Sequence, residues 1–382
     1  MIINTPTKVL IGKNELQQLT EEIKKDKVLI VTSKSARVLK TDIFQMIKDK
    51  LILNDIPYYI YSNVETNPTK EQVDFGTEIC KKNGCTAVLG IGGGSVIDVS
   101  KAICFSAVNN DFWNFVENPE IDNNGALKLL IMNTSAGTGS EINSCAVITN
   151  ENKKMALVSD SIFPKMTFII PELMTTISLK NTYYQLLDCL YHAIESYLSI
   201  NSNPYSMSCS ETCIRLTLEN FDKVMTNPAN KEIRENLAIA SLYSGYADMF
   251  GGCLSIHSLG HAICAFYPEI LHGEAIALLS EAYYNAIQDY GDEKTKQKLD
   301  KLNDIFATSL NIEKNDIFSE NLRYLYSKYE IMNNKGLYKY GIEKKDYPNL
   351  VKNAKETVGV LFENDPVDMK NNLCIEIFEK SK

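Results

Sequence analysis

The chain lacks the features that mark membrane proteins, zinc ribbons and nucleic-acid-binding proteins. No apolar run reaches the ~18 residues that a membrane-spanning helix needs, and the N-terminus has no signal-peptide pattern. The 10 cysteines show no C-x2-C spacing, so they are expected to be reduced and mostly buried. The net charge of −9 disfavours nucleic-acid and anionic-membrane partners, which require a basic surface. We therefore predict a cytoplasmic protein that acts on small molecules.

Histidine is also scarce, and its placement is informative. The chain has only 4 histidines, which all fall in one window: His192, His257, His261 and His272. Asp188 precedes His192 by four positions, as His257 precedes His261, and this spacing places each pair on one face of a helix. The residues around Asp188 are apolar on nearly every side, which predicts a buried helix. A carboxylate in such a helix needs a positive partner, and a metal ion would supply it.

The first half of the chain alternates short apolar runs with helical patterns. With 382 residues the chain exceeds what one hydrophobic core usually organises, so two domains are expected. Strands are predicted at 27–32, 58–61, 86–91 and 128–132, and helices at 41–54, 70–83 and about 95–107. Strands separated by helices of this length form right-handed βαβ units and a parallel sheet. Ligands of such sheets bind at the carboxyl ends of the strands.

From about residue 175 onward, helical patterns replace the strands. They cover residues 183–200, 207–225, 231–250, 255–266, 274–290, 293–310, 316–328 and 347–362. We therefore predict an α/β domain with a parallel sheet at 1–176. An all-helical bundle at 177–382 then carries the cluster of histidines.

Two loops rich in small residues follow neighbouring predicted strands. The first contains Gly92, Gly93 and Gly94 between a buried strand and a helix, and the second spans 133–141. Glycines there let the backbone approach an anion, and the helix N-terminus adds partial positive charge. The first loop matches neither the G-x-G-x-x-G fingerprint nor a P-loop, and a tight βα turn is the alternative interpretation. Two such loops together favour a bound nucleotide.

These motifs together resemble the iron-dependent (group III) alcohol dehydrogenase family. The motifs that carry the resemblance are GGGSVIDVSKA at 92–102, NTSAGTGSE at 133–141, the Asp188-x3-His192-Ala-Ile-Glu run, His257-x3-His261 and His272-Gly273. Shorter matches extend from 9–12 and 67–69 to 341–342 and 364–366, so the resemblance covers nearly the whole chain. It implies that 1–176 form a Rossmann-like domain that binds a dinucleotide. It also implies that 177–382 form a helical domain that binds the metal and the substrate, a plan that dehydroquinate synthase shares.

The resemblance also implies a divalent metal held by one aspartate and three histidines. By position these ligands are Asp188, His192, His257 and His272. His261 is then left beside substrate and nicotinamide as a catalytic proton relay, although it could instead be a packing histidine one turn from a ligand. A donor set of one carboxylate and three imidazoles suits several divalent metals. The family makes Fe²⁺ the favoured ion and Zn²⁺ the second choice.

Cofactor-binding positions follow by motif. They are Asn67, Gly93, Gly94, Ser95, Asp98, Thr134, Ser135, Thr138 and Lys154. An acidic residue near a helix N-terminus is favoured by the helix dipole, so Asp98 has a structural explanation as well. Many family members carry Thr-Asp after the second strand, where this chain has Thr32-Ser33. No carboxylate is therefore available there to repel a 2′-phosphate, and the choice between NAD and NADP stays open.

The sequence thus predicts a metal-dependent alcohol dehydrogenase or aldehyde reductase. Such an enzyme transfers hydride between NAD(P)H and a small alcohol or aldehyde, and a homodimer or higher homo-oligomer is expected. Bulky residues at 183, 184 and 186 replace small ones of the family, so pocket shape cannot be transferred from its members. The alternatives are a dehydroquinate synthase-like lyase or cyclase and a non-catalytic protein that binds metal or nucleotide. Few basic residues lie between 180 and 275, which disfavours a phosphorylated substrate.

Overall fold

The chain divides into two compact units. The computed structural model describes residues 3–35, 37–109, 111–121, 123–329 and 336–381. The first unit takes in the chain up to Asn150, Lys154–Ile177 and Ala229–Ala238. The second takes in Glu151–Lys153, Ser178–Pro228 and the chain from Ile239 onward.

A six-stranded parallel sheet forms the centre of the first unit. The strands in chain order are β1 Lys8–Ile11, β2 Val28–Ser33, β3 Tyr58–Val64, β4 Ala87–Gly92, β5 Lys128–Asn133, β6 Cys145–Asn150, β7 Lys153–Val158 and β8 Met166–Ile169. Their order in the sheet is β1-β8-β5-β4-β2-β3, and β6 pairs with β7 in a separate two-stranded sheet. Every pairing within the larger sheet is parallel. The predicted parallel α/β fold is confirmed.

Both faces of this sheet are buried, which explains why its central strands read as unbroken apolar runs. The helices are α1 Leu16–Ile23, α2 Asp42–Leu53, α3 Lys70–Lys82, α4 Gly94–Val108 and α5 Phe112–Glu117. Val28 and Ile30 of β2 pack with α1 and α2 in one cluster. Leu29 and Val31 pack with α3 and α4 in another, because successive side chains of a strand point to opposite faces.

The second unit is helical, as predicted. Its helices are α6 Leu179–Leu198, α7 Pro204–Thr226, α8 Lys231–Gly251, α9 Ser255–Phe266, α10 His272–Tyr290, α11 Glu293–Leu310, α12 Phe318–Lys328, α13 Tyr347–Val358 and α14 Asn371–Lys380. The residues of α8 up to Ala238 are counted with the first unit. Asn203 caps α7 with its side chain, and Pro204 occupies the first turn, where its missing N–H costs nothing.

Within the part of the chain that the structure describes, no single helix is long and apolar enough to cross a membrane. Only when taken together do helices α8 and α9 have the length and apolar composition of a membrane span, and this pair is bent by 112°.

Candidate metal centre and cofactor loops

Helix α6 holds the first two predicted metal ligands inside the second unit. The Ser178 side chain accepts the N–H of Asn181 and so caps the helix. Asp188 and His192 lie one turn apart, and both side chains are buried. His192 Nδ1 lies 2.8 Å from the Asp188 carbonyl oxygen, which leaves the Nε2 atom of this imidazole for another partner. The carboxylate is thus placed on a rigid, buried element.

Helices α9 and α10 bring the remaining histidines to Asp188. His257 and His261 lie on α9, and His272 is the first residue of α10. The Asp188 Oδ1 atom lies 3.7 Å from His257 Nε2 and 3.5 Å from His272 Nε2. His192 Nδ1 is 3.8 Å from the same oxygen. The structure therefore brings together all four predicted ligands, from three helices.

The donor atoms of this cluster fit a cation. Asp188 Oδ1 and His257 Nε2 are buried, and neither has a hydrogen-bond partner among the residues that the structure describes. Burial alone would raise the pKa of Asp188, but the facing imidazoles of His192 and His272 hold it well below its ordinary value. Buried polar atoms normally have hydrogen-bond partners, so two facing atoms that lack them indicate an ion-binding site. One carboxylate and three imidazoles suit a divalent transition metal.

A buried carboxylate outside the donor set orients His257. Glu195 Oε1 lies 2.8 Å from His257 Nδ1, and its other oxygen accepts the N–H of Leu254 at 2.9 Å. Burial alone would lower the pKa of His257, but Glu195 and Asp188 raise it to about 10. A hydrogen bond at Nδ1 fixes the ring so that Nε2 faces Asp188, as is usual for metal-binding histidines. Sequence reasoning assigned Glu195 no role, although it lies three residues after His192.

His261 lies beside the cluster. Its ring is 4.8 Å from that of His272 and 6.2 Å from that of His257, measured between centroids. Two groups of side chains have potential ligand atoms within 4.8 Å of one another: Asp188 with His257 and His272, and His192 with Cys253 and His257. His261 belongs to neither group. His261 is therefore placed as a neighbour of the proposed ligands, and its role as a proton relay stays a prediction.

A glycine lets α10 approach α6 closely enough to deliver His272. A Cβ atom added at Gly273 would lie 2.2 Å from the Tyr184 carbonyl oxygen, far inside van der Waals contact. Tyr184 lies one turn before Asp188 on α6. The His-Gly pair of the sequence thus has a packing explanation, because only glycine permits this contact without moving the helix.

Gly273→Ala is expected to push the first turn of α10 away from α6 and to displace His272. A shift of ~1 Å at such a site costs on the order of 100-fold in rate, and metal affinity should fall as well. Competition with a chelator and kcat/KM would measure both effects. Gly359→Ala is the control, because a Cβ there meets nothing within 4 Å. Wild-type affinity in Gly273→Ala would show that the contact does not position His272.

In the first unit, the two glycine and hydroxyl loops lie side by side. Strands β4 and β5 are neighbours, and Gly92 pairs with Asn133. A Cβ at Gly93 would lie 2.9 Å from Ser135 Oγ, and one at Gly94 would lie 2.8 Å from Thr138 Cγ2. Thr134 donates its N–H to the Gly92 carbonyl oxygen at 3.0 Å. The proximity of these loops thus follows from the pairing of their strands.

The N-terminus of α4 fits an anionic ligand. The helix begins at Gly94, directly followed by the half-buried Ser95, and its N-cap residue Gly93 has no side chain to cap it. The first N–H groups of a helix lack intrahelical acceptors and bind phosphates readily. A dinucleotide pyrophosphate suits this position, as the sequence predicts.

Asp98 and Lys101 of α4 are used for internal contacts. The Asp98 carboxylate accepts hydrogen bonds from Ser140 Oγ at 2.7 Å and from the Val147 N–H at 3.2 Å. The fully buried Lys101 donates to acceptors on residues 140, 143 and 145 at 2.6–2.9 Å. Burial lowers the pKa of Lys101 to about 8. Lys101, to which sequence reasoning gave no role, thus ties the second loop to α4.

The last two predicted cofactor positions form a pair. Lys154 Nζ donates to Asn67 Oδ1 at 3.0 Å, and Asn67 has a positive φ of 53°. The N–H of Thr149 on β6 donates to the Pro68 carbonyl oxygen at 2.8 Å, which holds the 67–69 turn against this strand. Asn67 and Lys154 are thus positioned together by the two-stranded sheet.

The bulky residues that depart from the family pattern are buried in the helical unit. Tyr183 packs edge-on against Phe221, with ring centroids 5.5 Å apart. The Tyr184 hydroxyl donates to Glu274 Oε1 at 2.7 Å, and the Tyr340 hydroxyl donates to the same oxygen at 2.6 Å. Tyr183 thus packs against α7, whereas Tyr184 and Tyr340 contact the first turn of α10 through Glu274.

Comparison with known families gives the class of this protein. The model of the iron-containing alcohol dehydrogenase family matches residues 6–171. The C-terminal model of the Fe-containing alcohol dehydrogenase family matches residues 182–381. The chain belongs to the iron-containing alcohol dehydrogenase family, and this membership favours a dehydrogenase over the lyase and the non-catalytic alternatives.

Individual relatives agree with this assignment. The chain is 32% identical over 279 residues to alcohol dehydrogenase 4 of Schizosaccharomyces pombe, a match that spans 72% of this chain and 65% of that protein. It is 33% identical over 287 residues to NADH-dependent butanol dehydrogenase A of Clostridium acetobutylicum, which covers 72% of each chain. An archaeal halo-thermophilic alcohol dehydrogenase from a Red Sea brine pool has a similar structure, with a TM-score of 0.91, 26% identity and coverage of 100% of this chain and 99% of that one.

Proposed function

We propose that this protein is a metal- and nicotinamide-dependent alcohol dehydrogenase that interconverts small alcohols and aldehydes. The observation that carries the proposal is the buried cluster in which Asp188 Oδ1 and His257 Nε2 face each other without hydrogen-bond partners among the described residues. The membership in the iron-containing alcohol dehydrogenase family supports the same reaction class.

The proposed ligands are Asp188, His192, His257 and His272. A divalent ion held there would supply Lewis acidity toward the oxygen of an alcohol or aldehyde. A nicotinamide cofactor would supply or accept the hydride. Glu195 holds the His257 ring so that Nε2 faces the centre. His261 is the proposed proton relay, since an imidazole titrates near neutrality and this ring is adjacent to His272.

The family favours Fe²⁺ at this centre, with Zn²⁺ as the second choice. Both ions accept imidazole nitrogen and carboxylate oxygen, so the donor set does not rank them by itself. We propose Fe²⁺ as the working ion. The glycine and hydroxyl loops, together with Asn67, Asp98 and Lys154, are the proposed cofactor-binding positions. The homodimer and the cytoplasmic location stay predictions.

We propose that the enzyme accepts NADPH as well as NADH. Ser33 is the last residue of β2, and its hydroxyl lies 2.8 Å from that of Ser35. A carboxylate at the end of this strand bonds the adenosine ribose in NAD-specific dehydrogenases and repels a 2′-phosphate. A serine there imposes no such repulsion.

Ser33→Asp is therefore expected to shift cofactor preference toward NADH. The ratio of kcat/KM for NADH to that for NADPH should rise at least about tenfold, which corresponds to ~1.4 kcal/mol of added discrimination. Ser33→Ala is the matched control and should leave the ratio near the wild-type value. An unchanged ratio in Ser33→Asp would place 2′-phosphate recognition elsewhere.

The reaction class is tested by following nicotinamide absorbance with a panel of substrates. Relatives named for butanol and 1,3-propanediol support short aliphatic and hydroxy-aldehydes as the first to try. The purified protein, kept anaerobic and metal-replete, should oxidise NADH or NADPH when such an aldehyde is added. Absence of turnover with every aldehyde and ketone tested would refute the dehydrogenase proposal.

A further inference from the structure

Two overlapping sets of potential metal ligands occur in the helical unit. The first contains Asp188, His257 and His272, and the second contains His192, Cys253 and His257. In each set, one ligand atom per residue lies within 4.8 Å of the others, and all three members of the second set are buried. Of the cysteines, which the structure describes in full, only Cys253 belongs to such a group. His257, with its buried and unpartnered Nε2 atom, is common to both sets.

We infer that Cys253 is a further ligand of this centre, and that the thiolate draws soft ions such as Zn²⁺ and Cd²⁺ toward His192 and His257. The inference rests on the metal centre of the proposed function and concerns which ion that centre selects. Thiolate sulfur favours soft metals, whereas carboxylate oxygen favours harder ones. Because both sets use His257, one ion excludes the other. Iron(II), held by Asp188 and the three histidines, would thus lie nearer the Asp188 carboxylate, while a softer ion would lie nearer Cys253.

The surroundings of Cys253 suit this role. Cys253 lies in the short connection between α8 and α9, just before Leu254, whose N–H donates to the Glu195 carboxylate. Its Sγ atom donates to Asp248 Oδ1 at 2.9 Å. Coordination forms a metal–sulfur bond and releases the thiol proton, and the Asp248 carboxylate is placed to receive it. The thiol therefore has both a route for its proton and a fixed orientation.

The inference is tested by adding Cd²⁺ to the metal-free protein under anaerobic, reducing conditions. A cadmium–thiolate bond gives a charge-transfer band in the ultraviolet difference spectrum. This band should appear in wild type as Cd²⁺ binds. In Cys253→Ser, the band should lose the intensity that corresponds to one cadmium–thiolate bond. The affinity for Cd²⁺ relative to Fe²⁺ should fall at least about tenfold in that variant, by about 1.4 kcal/mol of discrimination.

Cys264→Ser on α9 is the control, since Cys264 is buried but outside both sets, and it should keep the wild-type band. Cys253→Ala serves as a second variant, with far-ultraviolet circular dichroism to confirm folding. An unaltered band and affinity ratio in both Cys253 variants would overturn the inference and leave the proposed centre intact. A protein that binds neither Cd²⁺ nor Fe²⁺ would refute the centre itself, and the inference with it.

Discussion

His272→Ala is expected to lose tightly bound metal and activity together. His272 Nε2 lies 3.5 Å from Asp188 Oδ1, and α10 delivers it from a separate segment of the chain. Structural four-ligand zinc sites contribute roughly 10–16 kcal/mol, so one imidazole accounts for ~3 kcal/mol, or more than about 100-fold in affinity. Metal content per chain by elemental analysis, together with kcat, would measure the loss.

His261→Ala is the matched variant and should behave differently. It should retain the metal, because His261 lies outside both ligand groups, and its rate should fall by ~10²–10⁴ as expected for the loss of a proton relay. The two histidines are neighbours with rings 4.8 Å apart, so the pair controls for local disturbance. A metal-free His261 variant beside a metal-loaded His272 variant would reverse the two roles.

Glu195→Ala should weaken metal binding without removing any proposed ligand. Glu195 is fully buried and lies between His257 Nδ1 and the N–H of Leu254. Removing the Glu195 carboxylate frees the His257 ring to rotate and lowers the basicity of its Nε2 atom. Loss of such a partner typically costs 10- to 100-fold in metal affinity or activity. Chelator competition would give the affinity, and thermal unfolding would give the accompanying change in stability.

Two further variants separate charge from hydrogen bonding at this position. Glu195→Gln keeps the volume of the side chain and can still accept a hydrogen bond. Its affinity for the metal should therefore lie between those of wild type and Glu195→Ala. Glu219→Gln on α7 is exposed and serves as the control for loss of one negative charge. Equal affinity in Glu195→Ala and wild type would show that the carboxylate does not support the centre.

Two residue pairs of the site could be predicted from the sequence because each shows a local spacing, whereas the assignment of His272 as a ligand came from the family resemblance. Asp188 with His192 and His257 with His261 are each separated by one helical turn, within strongly apolar segments. The hydrogen bond from His257 to Glu195 joins residues 62 apart in the chain, and no local pattern encodes it. The proximity of Cys253 to His192 was likewise not predicted, since the two residues are far apart in the chain and only the folded structure brings them together.

In the fold, too, features that show a local sequence pattern could be predicted, whereas features that depend on tertiary packing could not. The long helices of the second unit were predicted because their apolar period repeats over several turns. Strands β1 and β8 have only 4 residues each, too few to show a period, although β8 lies inside the sheet between β1 and β5. The inclusion of Ala229–Ala238 in the first unit is likewise a tertiary feature.

The bulky segment before Asp188 illustrates the limit of family resemblance. Its departure from the family pattern suggested a changed pocket, and the resemblance alone gave no position for the side chains. The structure places Tyr183 and Tyr184 in the interior of the helical unit, where Tyr184 bonds Glu274.

Turnover is proposed to depend on an ion held by Asp188 and the three histidines. The most direct test is to remove metal with a chelator, add iron(II) back anaerobically and measure aldehyde-dependent oxidation of NADH or NADPH. Activity should rise in proportion to bound iron and level off at a single ion per chain, while Asp188→Asn should stay inactive throughout. Full turnover by the chelator-treated protein, with no divalent metal detectable, would contradict the claim.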